Sequence, residues 1–110
     1  MRYLQRYKPM RILLAEDSLL YQRLIGGYLK EWGFDLELAR DGVEAWKLLR
    51  QPDGPLLALL DWVLPGMDGI EVCRNVRSGS GDQRYIYTVL LTGKSDKADL
   101  LRAMEAGADD

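Results

Sequence analysis

Acidic residues directly follow two apolar runs of this 110-residue chain. Glu16 and Asp17 come after the run that ends at Ala15, and Asp61 comes after the run Leu56–Leu60. Carboxylates held close together repel one another, which raises their pKa values or recruits a hard cation such as Mg²⁺. A carboxylate oxygen beside such a cation can attack a phosphoryl group in line and form an acyl phosphate. The pattern therefore predicts phosphoryl transfer to Asp61.

A hydroxyl group follows another apolar run. Thr92 and Gly93 come directly after Tyr85–Leu91, so the Thr92 hydroxyl is placed to bond a phosphoryl oxygen at the same edge of a parallel sheet. Gly93 has no side chain and leaves that side of the site open to a phosphoryl donor. Acidic residues are also common at helix N-termini, where they act as caps. This purely structural explanation suits Glu16 better than Asp61.

Composition excludes several other chemistries. The chain has no histidine, which removes Ser-His-Asp catalysis and histidine zinc sites, and Cys73 is its single cysteine, which removes an internal disulfide. A formal net charge of −2, from 15 basic and 17 acidic residues, provides no field that would attract nucleic acid or membrane. With no apolar run near the ~20 residues of a membrane span and no signal peptide, we expect a cytoplasmic protein.

Apolar periodicity predicts one domain in which strands and helices alternate. Residues 1–9 form a polar leader that we expect to be flexible, and residues 10–110 form the domain. The predicted strands are 10–15, 34–39, 56–60 and 85–91. Each strand is followed by a predicted helix with apolar residues at helical spacing. The first helix carries Tyr21, Leu24, Ile25, Tyr28, Leu29 and Trp32, and the second carries Val43, Trp46 and Leu49. The third carries Ile70, Cys73 and Val76, and the fourth, capped by Asp96, carries Leu100, Leu101 and Met104. The order favours an α/β fold with a parallel sheet and right-handed crossovers.

Four motifs in order resemble the receiver domains of bacterial response regulators. They are Glu16-Asp17-Ser18, the loop from Asp61 to Gly69 with its Leu-Pro-Gly and Asp-Gly pieces, Thr92-Gly93, and Glu105-Ala-Gly-Ala-Asp109. The acidic pair alone is common, whereas the Asp61 loop is specific. The resemblance covers about residues 10–110 and implies a flavodoxin-like, three-layer fold with strand order 2-1-3-4-5.

The resemblance also implies a role for individual residues. Asp61 is similar to the family's phosphoacceptor, and Asp17 and Asp61 to its side-chain ligands for Mg²⁺ or Mn²⁺. Glu16 matches a ligand that acts through a water molecule, and Val63 matches the residue whose backbone carbonyl completes the metal site. Thr92 matches the hydroxyl that moves toward the phosphoryl group when the domain switches.

Further expectations concern rates and partners. Val63 and Lys94 lie two positions beyond Asp61 and Thr92, where family members tune hydrolysis of the acyl phosphate. The donor implied is a sensor histidine kinase or a phosphotransfer protein. Members of the family phosphorylate themselves and hydrolyse their own acyl phosphate slowly. We therefore expect that this protein is not an enzyme that turns over a separate substrate.

The chain departs from the family pattern after its Gly-Ala-Asp-Asp end. Family members continue into a fifth strand with an aromatic switch residue, a Lys-Pro pair and a fifth helix, and no such segment follows this motif in the sequence. We therefore expect a truncated domain in which the fourth strand is a sheet edge with unpaired amides. Such an edge predicts self-association of the fragment.

Alternative functions stay open on the sequence alone. A receiver-like module that docks or dimerises without phosphorylation would keep this fold, and the missing lysine favours it. An aspartyl-phosphate hydrolase would also place an aspartate at a strand end, but it needs a second aspartate two positions on, where Val63 stands. A flavin-binding domain is disfavoured because Glu16 and Asp17 would repel its phosphate.

Overall fold

Strands and helices alternate in a computed structural model that describes residues 9–79, 84–91 and 97–110. Within these ranges the strands are β1 (Arg11–Ala15), β2 (Asp35–Ala39), β3 (Leu57–Asp61) and β4 (Tyr87–Leu91). The helices are α1 (Leu19–Glu31), α2 (Gly42–Leu49), α3 (Gly69–Ser78) and α4 (Lys97–Glu105). The predicted alternation is confirmed. The leader up to Lys8 and the Asp96 cap lie outside the described residues.

The four strands form one parallel sheet with the order β2-β1-β3-β4. This confirms the predicted order for the strands that the structure describes. Pairing of Ala15 with Leu60 sets the end of β1 beside the end of β3. All carboxyl ends therefore lie at one edge of the sheet, where ligand sites of parallel sheets form.

Alternate side chains of the sheet enter two separate cores. On β1, Ile12 and Leu14 pack with Leu29 of α1, whereas Leu13 and Ala15 pack with buried residues of α2, α3 and α4. Successive side chains of a strand point to opposite faces, so each face needs its own cover of helices. The domain accordingly has three layers, with α1 on one face of the sheet and the other described helices on the opposite face.

Helix α1 lies where apolar periodicity predicted a helix, but most of the apolar residues of that pattern are exposed. The Ser18 hydroxyl accepts a hydrogen bond from the backbone N–H of Tyr21 at 3.4 Å, and Gly33 follows the helix with a φ of 92°. Leu29 is the buried large apolar residue of this helix, whereas Tyr28 and Trp32 are more than half exposed. Helical spacing located the helix correctly. It did not show which side of the helix is buried, because a periodic pattern does not say which side the sheet will cover.

Helix α4 likewise exposes the residues that defined it in the sequence. Leu100, Leu101 and Met104 are each more than half exposed, and the buried residue of this helix is Ala103. Alanine gives a weak periodic signal, so the apolar pattern that located this helix did not mark its buried side.

The outer edge of β4 is occupied by the last residues of the chain. The N–H groups of Asp109 and Asp110 donate to the carbonyl of Thr88, and Leu90 donates its N–H to the carbonyl of Asp110 at 3.1 Å. The N–H of Thr88 bonds the carboxylate of Asp109 at 2.8 Å. The prediction of unpaired amides on this strand is therefore wrong at Thr88 and Leu90.

Arg77, at the end of α3, connects this terminal segment to β4. Its guanidinium donates to the carbonyls of Gly107 at 2.7 Å and Ile86 at 2.8 Å, to the Thr88 hydroxyl at 3.1 Å, and to the Asp109 carboxylate. Partial burial alone would raise the pKa of Asp109, but hydrogen bonds and the Arg77 charge lower it below its ordinary value. The sequence analysis did not identify this cluster, since an arginine near a helix end is usually solvated.

Replacing Arg77 should destabilise the fold strongly. Arg77→Met keeps the apolar stem but removes the cation paired with Asp109 and the donor to the carbonyls of Gly107 and Ile86, which should lower the free energy of unfolding by roughly 2–4 kcal/mol. Urea denaturation followed by circular dichroism measures the loss. Arg74→Met removes an exposed arginine from the same helix and should change stability by less than about 0.5 kcal/mol. Equal losses in the two variants would contradict this account of Arg77.

Candidate functional site

The turn between β1 and α1 positions two of the predicted acidic residues. Glu16 is buried and its N–H bonds the carbonyl of Ala39 at 3.0 Å, while its own carbonyl accepts from the amide of Gln22 at 2.5 Å. Asp17 is exposed, and Ser18 caps the start of α1. Hydrogen bonds to both the N–H and the carbonyl of Glu16 therefore hold this residue at the sheet edge.

Asp61 ends β3 directly beside this turn. Its side chain is half-buried, and one carboxylate oxygen accepts from the backbone N–H of Val63 at 3.3 Å. One carboxylate oxygen from each of Glu16, Asp17 and Asp61 lies within 4.8 Å of the others. The structure thus brings together the three acidic residues that the sequence analysis singled out.

Crowding of these carboxylates changes the charge of Glu16. Burial raises the pKa of Glu16 to about 7, and hydrogen bonding to Asp61 and repulsion from Asp61 and Asp17 act in the same direction. A carboxyl with this pKa is partly protonated near neutral pH. A divalent cation would remove the repulsion and favour the ionised form.

The donor set is suited to a hard cation. Carboxylate oxygens are the ligands that Mg²⁺ prefers, and Mg²⁺ uses one or two of them together with water and phosphate oxygens. Asp17 and Asp61 provide two such groups and are not fully buried, so room remains for water and for a phosphoryl group. The residues present therefore fit Mg²⁺ or Mn²⁺.

The loop after Asp61 is held tightly against the sheet. Gly66 has a φ of 76° after Pro65, as expected for a type II turn. Asp68 caps α3 by accepting from the N–H of Glu71 at 2.9 Å. A Cβ atom on Gly69 would lie 2.3 Å from the backbone oxygen of Asp61, so glycine is required for this approach. The specific Leu-Pro-Gly and Asp-Gly pieces thus fix the backbone around Asp61.

Other predicted site residues have mixed outcomes. Val63 is 66% exposed, and its backbone N–H bonds the Asp61 carboxylate of the acidic cluster. Thr92, Gly93 and Lys94 lie outside the described residues, so their predicted roles stay predictions. Leu91, the last residue of β4, pairs with Asp61.

Sequence analysis missed two side chains near the site. Gln22 is buried and bonds the carbonyl of Glu16, although a glutamine in a helix gives no signal for such a role. Trp62 is only 4% exposed, and its ring lies beneath the guanidinium of Arg102 with 5.6 Å to the ring centroid. In the sequence, the position of Trp62 directly after Asp61 was the signal that could have placed it near the site.

Comparison with known proteins agrees with this geometry. The profile of the family described as response regulator receiver domain matches residues 12–110. The chain is 40% identical over 102 residues to the DNA-binding response regulator MtrA of Mycobacterium leprae, covering 91% of this chain and 42% of that protein. It is 37% identical over 102 residues to the response regulator MprA of Mycobacterium sp. (strain KMS), covering 93% and 43%. The chain thus spans less than half the length of these relatives.

Solved structures match over nearly the whole chain. The signal receiver domain of a histidine kinase from Syntrophus aciditrophicus has a TM-score of 0.80 and 39% identity, covering 92% of this chain and 75% of that one. The receiver domain of sensor histidine kinase PA1611 from Pseudomonas aeruginosa PAO1, with magnesium in its active site cleft, has a TM-score of 0.80 and 29% identity, covering 94% and 83%. A chain in the complex of Ypd1 with the Ssk1 receiver domain from Saccharomyces cerevisiae has a TM-score of 0.82 and 26% identity, covering 94% and 77%.

Sequence and fold therefore agree on a signalling domain of two-component systems. The chain belongs to the response regulator receiver domain family, whose general function is to accept a phosphoryl group. Among the described residues, no helix is both long and apolar enough to cross a membrane.

The raised pKa of Glu16 predicts that stability depends on pH. The ordinary pKa is 4.5 and the folded value is about 7, so the folded state binds this proton more tightly than the unfolded state. The resulting stability is fully present below pH 4.5 and is lost as pH rises through about 7. In buffer with a chelator, the free energy of unfolding should fall between about pH 5 and about pH 8.

Glu16→Gln should flatten this pH dependence, because glutamine does not titrate. Urea denaturation at several pH values measures it, and Glu31→Gln, at the exposed end of α1, controls for the loss of one charge. A pH dependence that survives in Glu16→Gln would contradict the assignment.

A methyl group at Gly69 should disturb the site. Gly69→Ala forces the new Cβ against the Asp61 carbonyl, which should cost roughly 1–3 kcal/mol of unfolding free energy and weaken Mg²⁺ binding. Gly27→Ala is a matched control on α1, where a Cβ meets nothing within 4 Å. That control should gain about 0.5–1 kcal/mol, because alanine is the better helix former. Denaturation and metal titration of both variants test the prediction, and an unaffected Gly69→Ala would refute it.

Proposed function

We propose that this chain accepts a phosphoryl group on Asp61 from a sensor histidine kinase or a phosphotransfer protein. The observation that carries the proposal is the convergence of Glu16, Asp17 and Asp61 within 4.8 Å at the carboxyl ends of β1 and β3. Asp61 is the candidate acceptor because it directly ends a buried strand and its carboxylate is half-exposed.

Metal binding is part of this proposal. Asp17 and Asp61 would bind Mg²⁺ or Mn²⁺ through their side chains, Glu16 through a water molecule, and Val63 through its backbone carbonyl. When bound, the cation neutralises charge on the transferring phosphoryl group. The N–H of Val63, already bonded to an Asp61 oxygen, is placed to keep that carboxylate oriented.

The transfer step makes one bond and breaks one. An oxygen of Asp61 attacks the phosphorus of a phosphohistidine in line, the new oxygen–phosphorus bond forms, and the nitrogen–phosphorus bond breaks to release the histidine of the donor. Water later hydrolyses the acyl phosphate and restores Asp61. The domain thus modifies itself and does not turn over a separate substrate.

The strand end beside Asp61 supports the roles proposed for the following residues. Leu91 pairs with Asp61, and Thr92 follows Leu91 in the chain, which favours Thr92 as the hydroxyl that bonds the phosphoryl group. Gly93 would leave access for the donor, and Val63 and Lys94 would tune hydrolysis.

Several further points belong to the proposal. The complex of Ypd1 with the Ssk1 receiver domain supports a phosphotransfer protein as the kind of partner. We expect no nucleic-acid or membrane contact by this domain, and a cytoplasmic location. Self-association through the β4 edge is disfavoured, because the N–H groups of Thr88 and Leu90 bond Asp109 and Asp110.

A docking module that is never phosphorylated is the second candidate, because such a module would keep the same parallel sheet. An aspartyl-phosphate hydrolase is disfavoured. The residue two positions beyond Asp61 is Val63, which has no carboxylate to act as the general acid.

Incubation with Mg²⁺ and acetyl phosphate separates these candidates. We expect intact mass to increase by one phosphoryl group in the wild-type chain and not in Asp61→Asn, because asparagine lacks the nucleophilic oxygen. Asp68→Asn is the control, since asparagine also caps a helix and Asp68 lies outside the acidic cluster. Phosphorylation of Asp61→Asn, or none of the wild type, would contradict the proposal, and the second result would favour the docking module.

A further inference from the structure

A cavity of about 360 Å³ lies at the end of the domain opposite the acidic cluster. The C-terminal ends of α2 and α3 and the residues that precede β4 line it. Helices that connect parallel strands run back along the sheet, so these helix ends lie at the amino ends of the strands, away from Asp61. Small-molecule sites have volumes of roughly 300–1,000 Å³. The cavity is therefore separate from the proposed phosphorylation site and large enough for a small ligand.

One wall of this cavity is apolar and fixed by the core. Leu49 is fully buried and Ile86 is nearly so, and both belong to the main core. Trp46 and Val76 are half-buried beside them. An indole ring offers a flat surface on which an aromatic ring stacks, and stacking of a nucleobase on an aromatic side chain is favourable for every base. This wall suits a flat aromatic group.

Two arginines make the rest of the lining electropositive. The Arg50 guanidinium lies 5.9 Å from the ring centroid of Trp46, and within the described ranges no carboxylate pairs with it. Arg84 is half-buried and donates to the carbonyls of Gly54 at 3.0 Å and Gln51 at 2.5 Å, which fixes its position. None of the described lining residues is acidic. Guanidinium groups match the geometry of carboxylate and phosphate, so this lining favours an anion.

An amide also lines the cavity. The side-chain nitrogen of Asn75 donates to the sulfur of Met67 at 3.2 Å, and this bond orients the amide. The amide oxygen is then placed to accept from an N–H group of a ligand. Nucleobases carry such groups on their edges. The cavity thus combines a stacking surface, a hydrogen-bond acceptor and two cations.

We propose that this cavity binds a nucleoside monophosphate. The base lies against the apolar wall beside Trp46, and the phosphate pairs with Arg50 and Arg84. A nucleoside lacks the anion and inorganic phosphate lacks the ring, so each uses only part of the lining. The volume, near the lower end of the range for small-molecule sites, favours a mononucleotide over a dinucleotide. The inference does not depend on phosphorylation of Asp61.

Calorimetric titration of the full chain with AMP, GMP, CMP and UMP tests the proposal. A chelator in the buffer prevents divalent cations from attracting nucleotides to the acidic cluster. The matching nucleoside and inorganic phosphate are titrated separately. Arg50→Gln removes one cation from the cavity, and Arg23→Gln, an exposed arginine of α1 on the opposite face of the sheet, controls for the loss of a positive charge. Thermal denaturation confirms that each variant folds.

We expect saturable binding of at least one nucleotide at one site, with a Kd below about 1 mM. The matching nucleoside and inorganic phosphate should each bind at least about tenfold more weakly, and so should the nucleotide to Arg50→Gln. Arg23→Gln should bind as the wild type does. Amide chemical shifts measured by NMR should change at Leu49, Val76 and Ile86 and not at Asp61.

Three results would each overturn this inference. They are the absence of saturable binding by all four nucleotides, an unchanged affinity in Arg50→Gln, and chemical-shift changes confined to the acidic cluster. Inorganic phosphate that binds as tightly as the nucleotide would likewise contradict the role of the apolar wall. Phosphorylation of Asp61 is measured separately by intact mass, so failure here leaves the proposed function standing.

Discussion

Electrostatic repulsion among Glu16, Asp17 and Asp61 is the constraint on which the site depends. Pairing of Ala15 with Leu60 sets the ends of β1 and β3 side by side, so the acidic residues that follow cannot separate. The repulsion affects Glu16: burial and the neighbouring carboxylates raise its pKa to about 7. A divalent cation would relieve the same repulsion, and the three carboxylates are oxygen ligands of the kind that such a cation prefers.

The rest of the fold keeps this cluster in place. Apolar side chains on both faces of β1 and β3 fix the strands. Glu16 is fixed because its N–H donates to the Ala39 carbonyl and its own carbonyl accepts from the Gln22 side-chain amide. Gly69 allows the α3 N-terminus to lie against the Asp61 carbonyl. The loop residues therefore determine geometry as much as the acidic residues determine chemistry.

Alternation of strands and helices predicted a parallel sheet, and carboxylates after apolar runs marked the acidic residues, because both are local signals. The strand order was implied by the resemblance to receiver domains. They did not predict which sides of α1 and α4 are buried, since exposed Trp32 and Met104 have the same periodicity as core residues. The Arg77 cluster and the contact between Arg102 and Trp62 also escaped prediction. Such contacts join residues far apart in the chain, and a single sequence does not encode them in its spacing.

Calorimetric titration with Mg²⁺ tests the acidic cluster most directly. We predict one binding site in the wild-type chain, at least about tenfold weaker in Asp17→Asn and in Asp61→Asn, with Asp68→Asn unchanged. The affinity should also increase as pH rises through about 7, because Glu16 must lose its proton. Wild-type affinity in Asp17→Asn and Asp61→Asn, or an equal loss in Asp68→Asn, would contradict the proposal that these carboxylates form a metal-dependent phosphorylation site.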